Sequence, residues 1–128
     1  EPWVQAGHLV RRSHRELLEE ADTIYVYEVD GAIHGSVNFK PYNEYQAEIA
    51  GLAVDEQFAE LGIGRRLVSY LIETARERGY RELFVLTTQA FDWFRQLGFQ
   101  QKNIGVLPEK KRLAYDPARG SRIMVLSL

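Results

Sequence analysis

"VDEQFAELGIGRRLVSYLIE", residues 54–73, sets Gly62 and Gly64 one residue apart, directly ahead of two arginines and a long amphipathic run. Fixing a glycine costs more backbone entropy than fixing any other residue. Two of them at the start of a helix point to a need for bare backbone. A helix N-terminus offers unpaired N–H groups and a partial positive charge. Where no Cβ intervenes, an anion can approach those groups closely. Gly62-Ile63-Gly64, followed by Arg65 and Arg66, therefore reads as a seat for a phosphate or pyrophosphate. The alternative is that the glycines only make a turn. The stretch is not a P-loop, because no GxxxxGK[ST] occurs. It matches a dinucleotide-binding fingerprint poorly, because no third glycine follows at the required spacing.

Working outward, Ile63, Leu67, Leu71, Ile72 and Ala75 recur at helical spacing with Arg and Glu between them. Gly79 is a good residue to stop that helix. "AEIAGLAV" (47–54), just upstream, is nearly all apolar and predicts a central strand covered on both faces. "ELFVLTT" (82–88), just downstream, predicts a second buried strand. Strand, crossover helix and strand make a βαβ unit with two parallel strands. "IYVYEV" (24–29) is rich in β-branched and aromatic residues, "DG" (30–31) signals a hairpin, and "AIHGSVNF" (32–39) is the returning strand. Ser13 and Glu16 have capping-box spacing, which predicts a short helix to about Ala21. "AFDWFRQLGF" (90–99) reads as a short helix closed at Gly98 and leading into a strand. Pro108 marks a turn, and "SRIMVLSL" (121–128) is a last strand. The sum is one α/β (α+β) domain over residues 1–128: a mixed sheet with helices packed on it.

At 128 residues, 45% hydrophobic and 27% charged, the chain is globular and long enough for a real core. With no Cys, it has neither a thiol nucleophile nor a Cys-based zinc site, and it fits a reducing cytoplasm. His8, His14 and His34 show no metal-ligand spacing with acidic partners, so no metal is assigned. A net charge of −2 gives no general case for nucleic acid, and no apolar run approaches a membrane span. No signal peptide is visible, and the start at Glu1 points to a part of a longer chain.

The loop, glycines and helix, with the flanking "LAV" and "GYREL", resemble the acetyl-CoA-binding core of the GNAT acetyltransferase superfamily. The resemblance implies that fold: a central mixed sheet with a splayed pair of parallel strands and helices on both faces. It also implies a [RQ]-x-x-G-x-G loop cradling the cofactor pyrophosphate. Gly62 and Gly64 fill the two glycine positions. Ala59 stands at the Arg/Gln position, and Glu60 stands where a small residue is common. Both are departures, for which Arg65 and Arg66 compensate.

The tail is more specific. Phe84–Thr88, Trp93-Phe94 with Gly98-Phe99, Leu107-Pro108 with Lys111, Tyr115-Asp116 and Arg119-Gly120-Ser121-Arg122 resemble the acetyltransferase domain of the N-acetylglutamate synthase family. "GHLVRRS" is similar to that family's first strand, and the likeness covers residues 7–128. Proteins of this family usually also carry an amino-acid-kinase-like domain that senses arginine. Such a domain outside this chain, or a homo-oligomer, is therefore the expected partner.

The resemblance implies acetyl transfer from acetyl-CoA to the α-amine of L-glutamate, the first step of arginine biosynthesis. Glu48 is the candidate base. On residue type alone it either faces a cleft or sits at an exposed strand end; the matching family position is a glutamate base. The main chain of Leu52, Ala53 and Val54 takes the role of binding the pantetheine arm and polarising the thioester carbonyl. Gly62, Ile63, Gly64, Arg65 and Arg66 complete the cofactor set. Many relatives use a Tyr to protonate the leaving thiolate, but here that position is Phe94, as it is in the synthase family. Thr87 or Thr88 is the candidate hydroxyl, and helix capping is the alternative for each.

Arg119, Ser121 and Arg12 match substrate-binding positions, Gly51 is placed with them, and Lys40 is a weaker candidate. Arg forms bidentate bonds to carboxylates; ordinary surface charge is the alternative. Trp93 and Phe94 read as core. Tyr25, Tyr27, Tyr42 and Tyr45 either line the amino-acid pocket or simply pack. Two other functions stay open: a GNAT enzyme for another amino acid or small amine, and a catalytically weak CoA-binding regulatory domain. The latter is supported by Ala59 and Glu60.

Overall fold

The computed structural model describes residues 7–13, 23–55 and 62–128, with the backbone alone for the first of these segments. The strands are β1 (Gly7–Ser13), β2 (Thr23–Val29), β3 (Ala32–Pro41), β4 (Gln46–Val54), β5 (Glu82–Thr87), β6 (Gln100–Lys102) and β7 (Arg122–Ser127). The helices are α1 (Ile63–Glu77), α2 (Phe91–Gln96) and α3 (Glu109–Ala114). Ser13 ends β1; the helix expected after it lies outside the described residues, as do Ala59 and Glu60.

The strands form one sheet in the order β1-β2-β3-β4-β5-β7-β6. Every pairing is antiparallel except β4 with β5, which are parallel and joined through α1. The hairpin expected at "DG" is present, with both residues at positive φ. One face of the sheet carries the main core. Tyr25, Val37, Phe39, Ile49 and Leu83 pack there against Ile63, Leu67, Leu71 and Ala75 of α1 and against Phe94 of α2. Gly35 permits the close approach of α1: a Cβ there would lie 2.8 Å from Ile63 Cγ2. On the other face Phe84, Ile123 and Val125 pack with Leu107, Val106, Tyr42 and Tyr115. The segment around α3 thus covers the side opposite α1. Gln46 Nε2 pins it by donating to the Val106 carbonyl at 2.6 Å.

The parallel pair is short. β4 and β5 are in register only over Gln46–Glu48 and Glu82–Phe84. Beyond Glu48 the two strands part. The cause lies within β4. Ser36 pairs with Ala53 and Asn38 with Ala50, so β4 holds an extra residue against β3. Gly51, at φ +59°, takes the left-handed conformation that this bulge requires. The bulge bends β4 away from β5 and opens a wedge in the middle of the sheet. One expectation is corrected here. β4 is covered on both faces only at Ala47, Glu48 and Ile49; from Ala50 to Val54 its residues alternate between half-buried and exposed. Its apolar composition serves a cleft wall as well as the core.

Candidate active site

Two connected hollows occupy the wedge. The first is a cleft of about 360 Å³ lined by both splayed strands, including Glu48, Gly51, Leu52, Thr87 and Thr88, and by Lys111, Arg119 and Ser121 of the α3 side. The second, about 380 Å³, lies at the start of α1 between Leu52, Val54, Gly62, Gly64, Arg65, Ala90 and Trp93. Leu52 and Ala90 belong to both hollows. The opening therefore runs from the helix start on one face of the sheet, through the gap, to the charged side chains on the other.

The helix end of this channel suits an anion. Gly62 is the N-cap at φ +78°, and it provides no side-chain cap to occupy the free N–H groups. No acidic residue stands in the first turn of α1. The carbonyl of Gly62 accepts the first helical bond, from Arg66 N–H at 3.0 Å. The N–H groups of Ile63, Gly64 and Arg65 precede any intrahelical acceptor. Gly64 faces Val54 and Trp93 across the hollow, so its missing side chain keeps the approach open. Of the proposed cofactor residues, Arg65 is exposed at the mouth, while the Ile63 side chain is core, 1% exposed. Ile63 contributes its main chain only. Ala53 is exposed and pairs with Ser36, and it is not among the residues lining either hollow. Trp93 packs edge-on against Phe94 as expected of core, but it also forms a wall of the second hollow.

At the other end, Glu48 is 4% exposed. It pairs with Lys40 on β3 and Phe84 on β5, which places it on the face opposite α1. A buried carboxylate needs partners, and Glu48 has two. Tyr42 O–H donates to Oε1 at 2.8 Å. Lys111 Nζ lies 3.1 Å from Oε2. The choice left open by the sequence is settled: Glu48 lines the cleft and is not at an exposed strand end. Its two partners were not assigned to it from the sequence. Lys111 stood in the quoted motif without a role, and Tyr42 was one of four tyrosines with packing as the alternative.

Arg119 and Ser121 reach the cleft because the chain turns sharply before β7. Asp116 Oδ1 accepts the Ala118 N–H at 3.0 Å, Gly120 sits at φ +70°, and Tyr115 O–H donates to the Ser121 carbonyl at 3.1 Å. Thr87 Oγ1 accepts the Ala90 N–H at 2.9 Å, which makes a turn ahead of α2 and not the expected helix cap, since the N-cap is Ala90 and has no side-chain cap bond. Thr88 lines the cleft and is exposed. Arg12 pairs in register with Ile24, in the row that continues to Asn38 and Ala50; its side chain lies outside the description. Lys40 neighbours Glu48 across the strands but is not among the residues lining the cleft. Among the described residues no group of three or more His, Asp or Glu is placed to hold a metal, and no helix is long and apolar enough to cross a membrane.

Residues 1–99 match the family model described as "Acetyltransferase (GNAT) family". The chain belongs to the GNAT acetyltransferase family. It is 37% identical over 128 residues to an amino-acid acetyltransferase of Shewanella oneidensis, a match covering 99% of this chain and 29% of that protein. The chain thus spans well under half the length of the curated relatives it matches. Among solved structures it is similar to N-acetylglutamate synthase from Neisseria gonorrhoeae complexed with coenzyme A and N-acetyl-glutamate. There the TM-score is 0.78 and identity 36%, over 82% of this chain and 25% of that one. The same synthase complexed with coenzyme A and L-arginine gives a TM-score of 0.76 at 35% identity, over 93% of this chain and 28% of that one. The splayed parallel pair expected from the resemblance is the pair β4 and β5.

Proposed function

We propose that this domain transfers acetyl from acetyl-CoA to the α-amine of L-glutamate, giving N-acetyl-L-glutamate and CoA, as the first step of arginine biosynthesis. The observation that carries the reading is the charge of the cleft. Among the described residues, its charged lining consists of one carboxylate, Glu48, and two cations, Lys111 and Arg119. That leaves one positive charge uncompensated, and glutamate, with two carboxylates and one ammonium, brings one negative charge. The amino-acid acetyltransferases and N-acetylglutamate synthases it resembles support the same acceptor.

The N–H groups of Ile63, Gly64 and Arg65, which have no acceptor within the helix, and the Arg65 guanidinium suit a pyrophosphate. Gly64 keeps the surface clear, and Leu52, Val54 and Trp93 offer apolar walls for the arm beyond it. Bound there, acetyl-CoA supplies an activated thioester carbonyl. The backbone N–H groups of β4 that no longer pair with β5 are available to polarise that carbonyl. Glu48 takes the proton from the substrate ammonium, directly or through water, so that a neutral amine attacks. Tyr42, bonded to Oε1, positions the carboxylate. Arg119 and Ser121 grip a substrate carboxylate. The hydroxyl near the sulfur falls to Thr88, since the Thr87 oxygen is engaged in a turn.

The test is thiol release from acetyl-CoA with a panel of amino acids and amines. Turnover with glutamate, at least about tenfold more efficient than with glutamine, is expected, because a charge-assisted contact distinguishes the two. Efficient use of a different amine overturns the acceptor. CoA binding without turnover on any acceptor overturns the catalytic reading.

A further inference from the structure

The Glu48 carboxylate is already paired with a cation. Lys111 Nζ holds Oε2 at 3.1 Å, and the two side chains are 23% and 5% exposed. An ammonium that approaches Glu48 to give up its proton therefore meets a second ammonium at the same carboxylate. Two like charges around one anion repel strongly where solvent is excluded. The repulsion is relieved if the incoming molecule carries its own anion beside its amine. An α-amino acid does so, with its carboxylate on the carbon that bears the amine.

We propose that Lys111 receives the α-carboxylate of the acceptor and restricts this cleft to α-amino acids. The bound state is then a ring of alternating charge: Lys111, α-carboxylate, α-ammonium, Glu48. Arg119, which lines the same cleft, remains for the side-chain carboxylate. Lys111 has its Nζ at the carboxylate that takes the proton, so the cation selects the carboxylate while Glu48 selects the amine. This inference rests on the reading of Glu48 as base and narrows the acceptor class that the reading implies.

The experiment compares wild type with Lys111→Met and Lys111→Arg, after melting and CoA titration establish that each variant is folded. Lys111→Gln stands in if the Met variant does not fold. The acceptors are glutamate and 4-aminobutyrate, which is glutamate without its α-carboxylate. Wild type is expected to favour glutamate by about 10- to 150-fold in kcat/KM, as the one charge-assisted contact that distinguishes the two acceptors allows. Lys111→Met should raise the glutamate KM by about tenfold or more and cut that preference to below about tenfold. Lys111→Arg should restore part of the preference, since it retains the charge.

A lysine that only neutralises Glu48 would instead lower kcat for both acceptors and leave their ratio unchanged; that result overturns the proposal while leaving glutamate as the acceptor. Should wild type favour another α-amino acid, the glutamate reading fails, and the same comparison is made with that amino acid and its decarboxylated amine. An acceptor without an α-carboxylate that matches or exceeds every α-amino acid overturns the role of Lys111 outright.

Discussion

Gly64→Val separates coenzyme binding from folding. A Cβ built at Gly64 lies 3.4 Å from Val54 Cγ2 and 3.6 Å from Trp93 Cζ2, which is ordinary contact. Gly64→Ala should therefore fold at least as well as wild type, gaining up to about 1 kcal/mol from helix propensity. Valine adds two methyls at the same place. Directed toward Val54 and Trp93, they overpack the wall at a cost of about 1–3 kcal/mol. Directed outward, they stand over the free N–H groups of the first turn. The cost is well below the roughly 5–15 kcal/mol that holds a domain of this size together, so the variant remains folded. The loss falls on the anion. Each charge-assisted hydrogen bond to phosphate is worth about 1.5–3 kcal/mol, so losing one weakens binding about 10- to 150-fold. Calorimetric titration with CoA, alongside a melting curve, reads both effects. The expected order of affinity is wild type, Gly64→Ala, Gly64→Val. A folded Gly64→Val protein with wild-type CoA affinity would refute the placement of the pyrophosphate at this helix start.

Glu48→Gln keeps the shape of the side chain and removes the proton acceptor. Turnover should fall about 10²- to 10⁴-fold while CoA affinity stays within about twofold, and part of the loss should return at higher pH, where more of the amine is already neutral. Wild-type turnover at neutral pH would remove Glu48 from the chemistry. Tyr42→Phe deletes the 2.8 Å bond to Glu48 Oε1 and should lower kcat more than it raises the glutamate KM; an unchanged kcat shows that Glu48 is positioned without it. Arg119→Ala should raise the glutamate KM about tenfold or more and leave CoA affinity alone, with Arg119→Lys recovering only part of the loss because an ammonium cannot make the bidentate pair. If Arg119→Ala uses glutamate as wild type does, the substrate carboxylate is held elsewhere.

Much of this site was legible before the fold. The two glycines and the amphipathic run after them announced the helix start, because both signals are local: backbone freedom and a 3.6-residue period lie within some twenty residues. Glu48 was conspicuous because a carboxylate in an apolar strand has few explanations. Arg119 and Ser121 were legible only through likeness to a family, since an arginine in a polar loop looks like any surface charge. The bulge at Gly51 left no mark, because a run such as "AEIAGLAV" reads alike whether its second half faces a core or a cleft.

Local sequence was enough for the hairpin, the parallel pair around α1, the paired glycines at the start of that helix and the carboxylate in its apolar strand, all of which depend on residues near one another in the chain. Only the assembled sheet set where the pair comes apart, brought the hollow at the start of α1 and the cleft at Glu48 together along Leu52 and Ala90, and gave Glu48 its contacts with Tyr42 and Lys111. Those facts turn on strand register and on a contact between residues 48 and 111. A charge records its sign in the sequence, but its partner is set by how the sheet places the strands, and no local pattern encodes that.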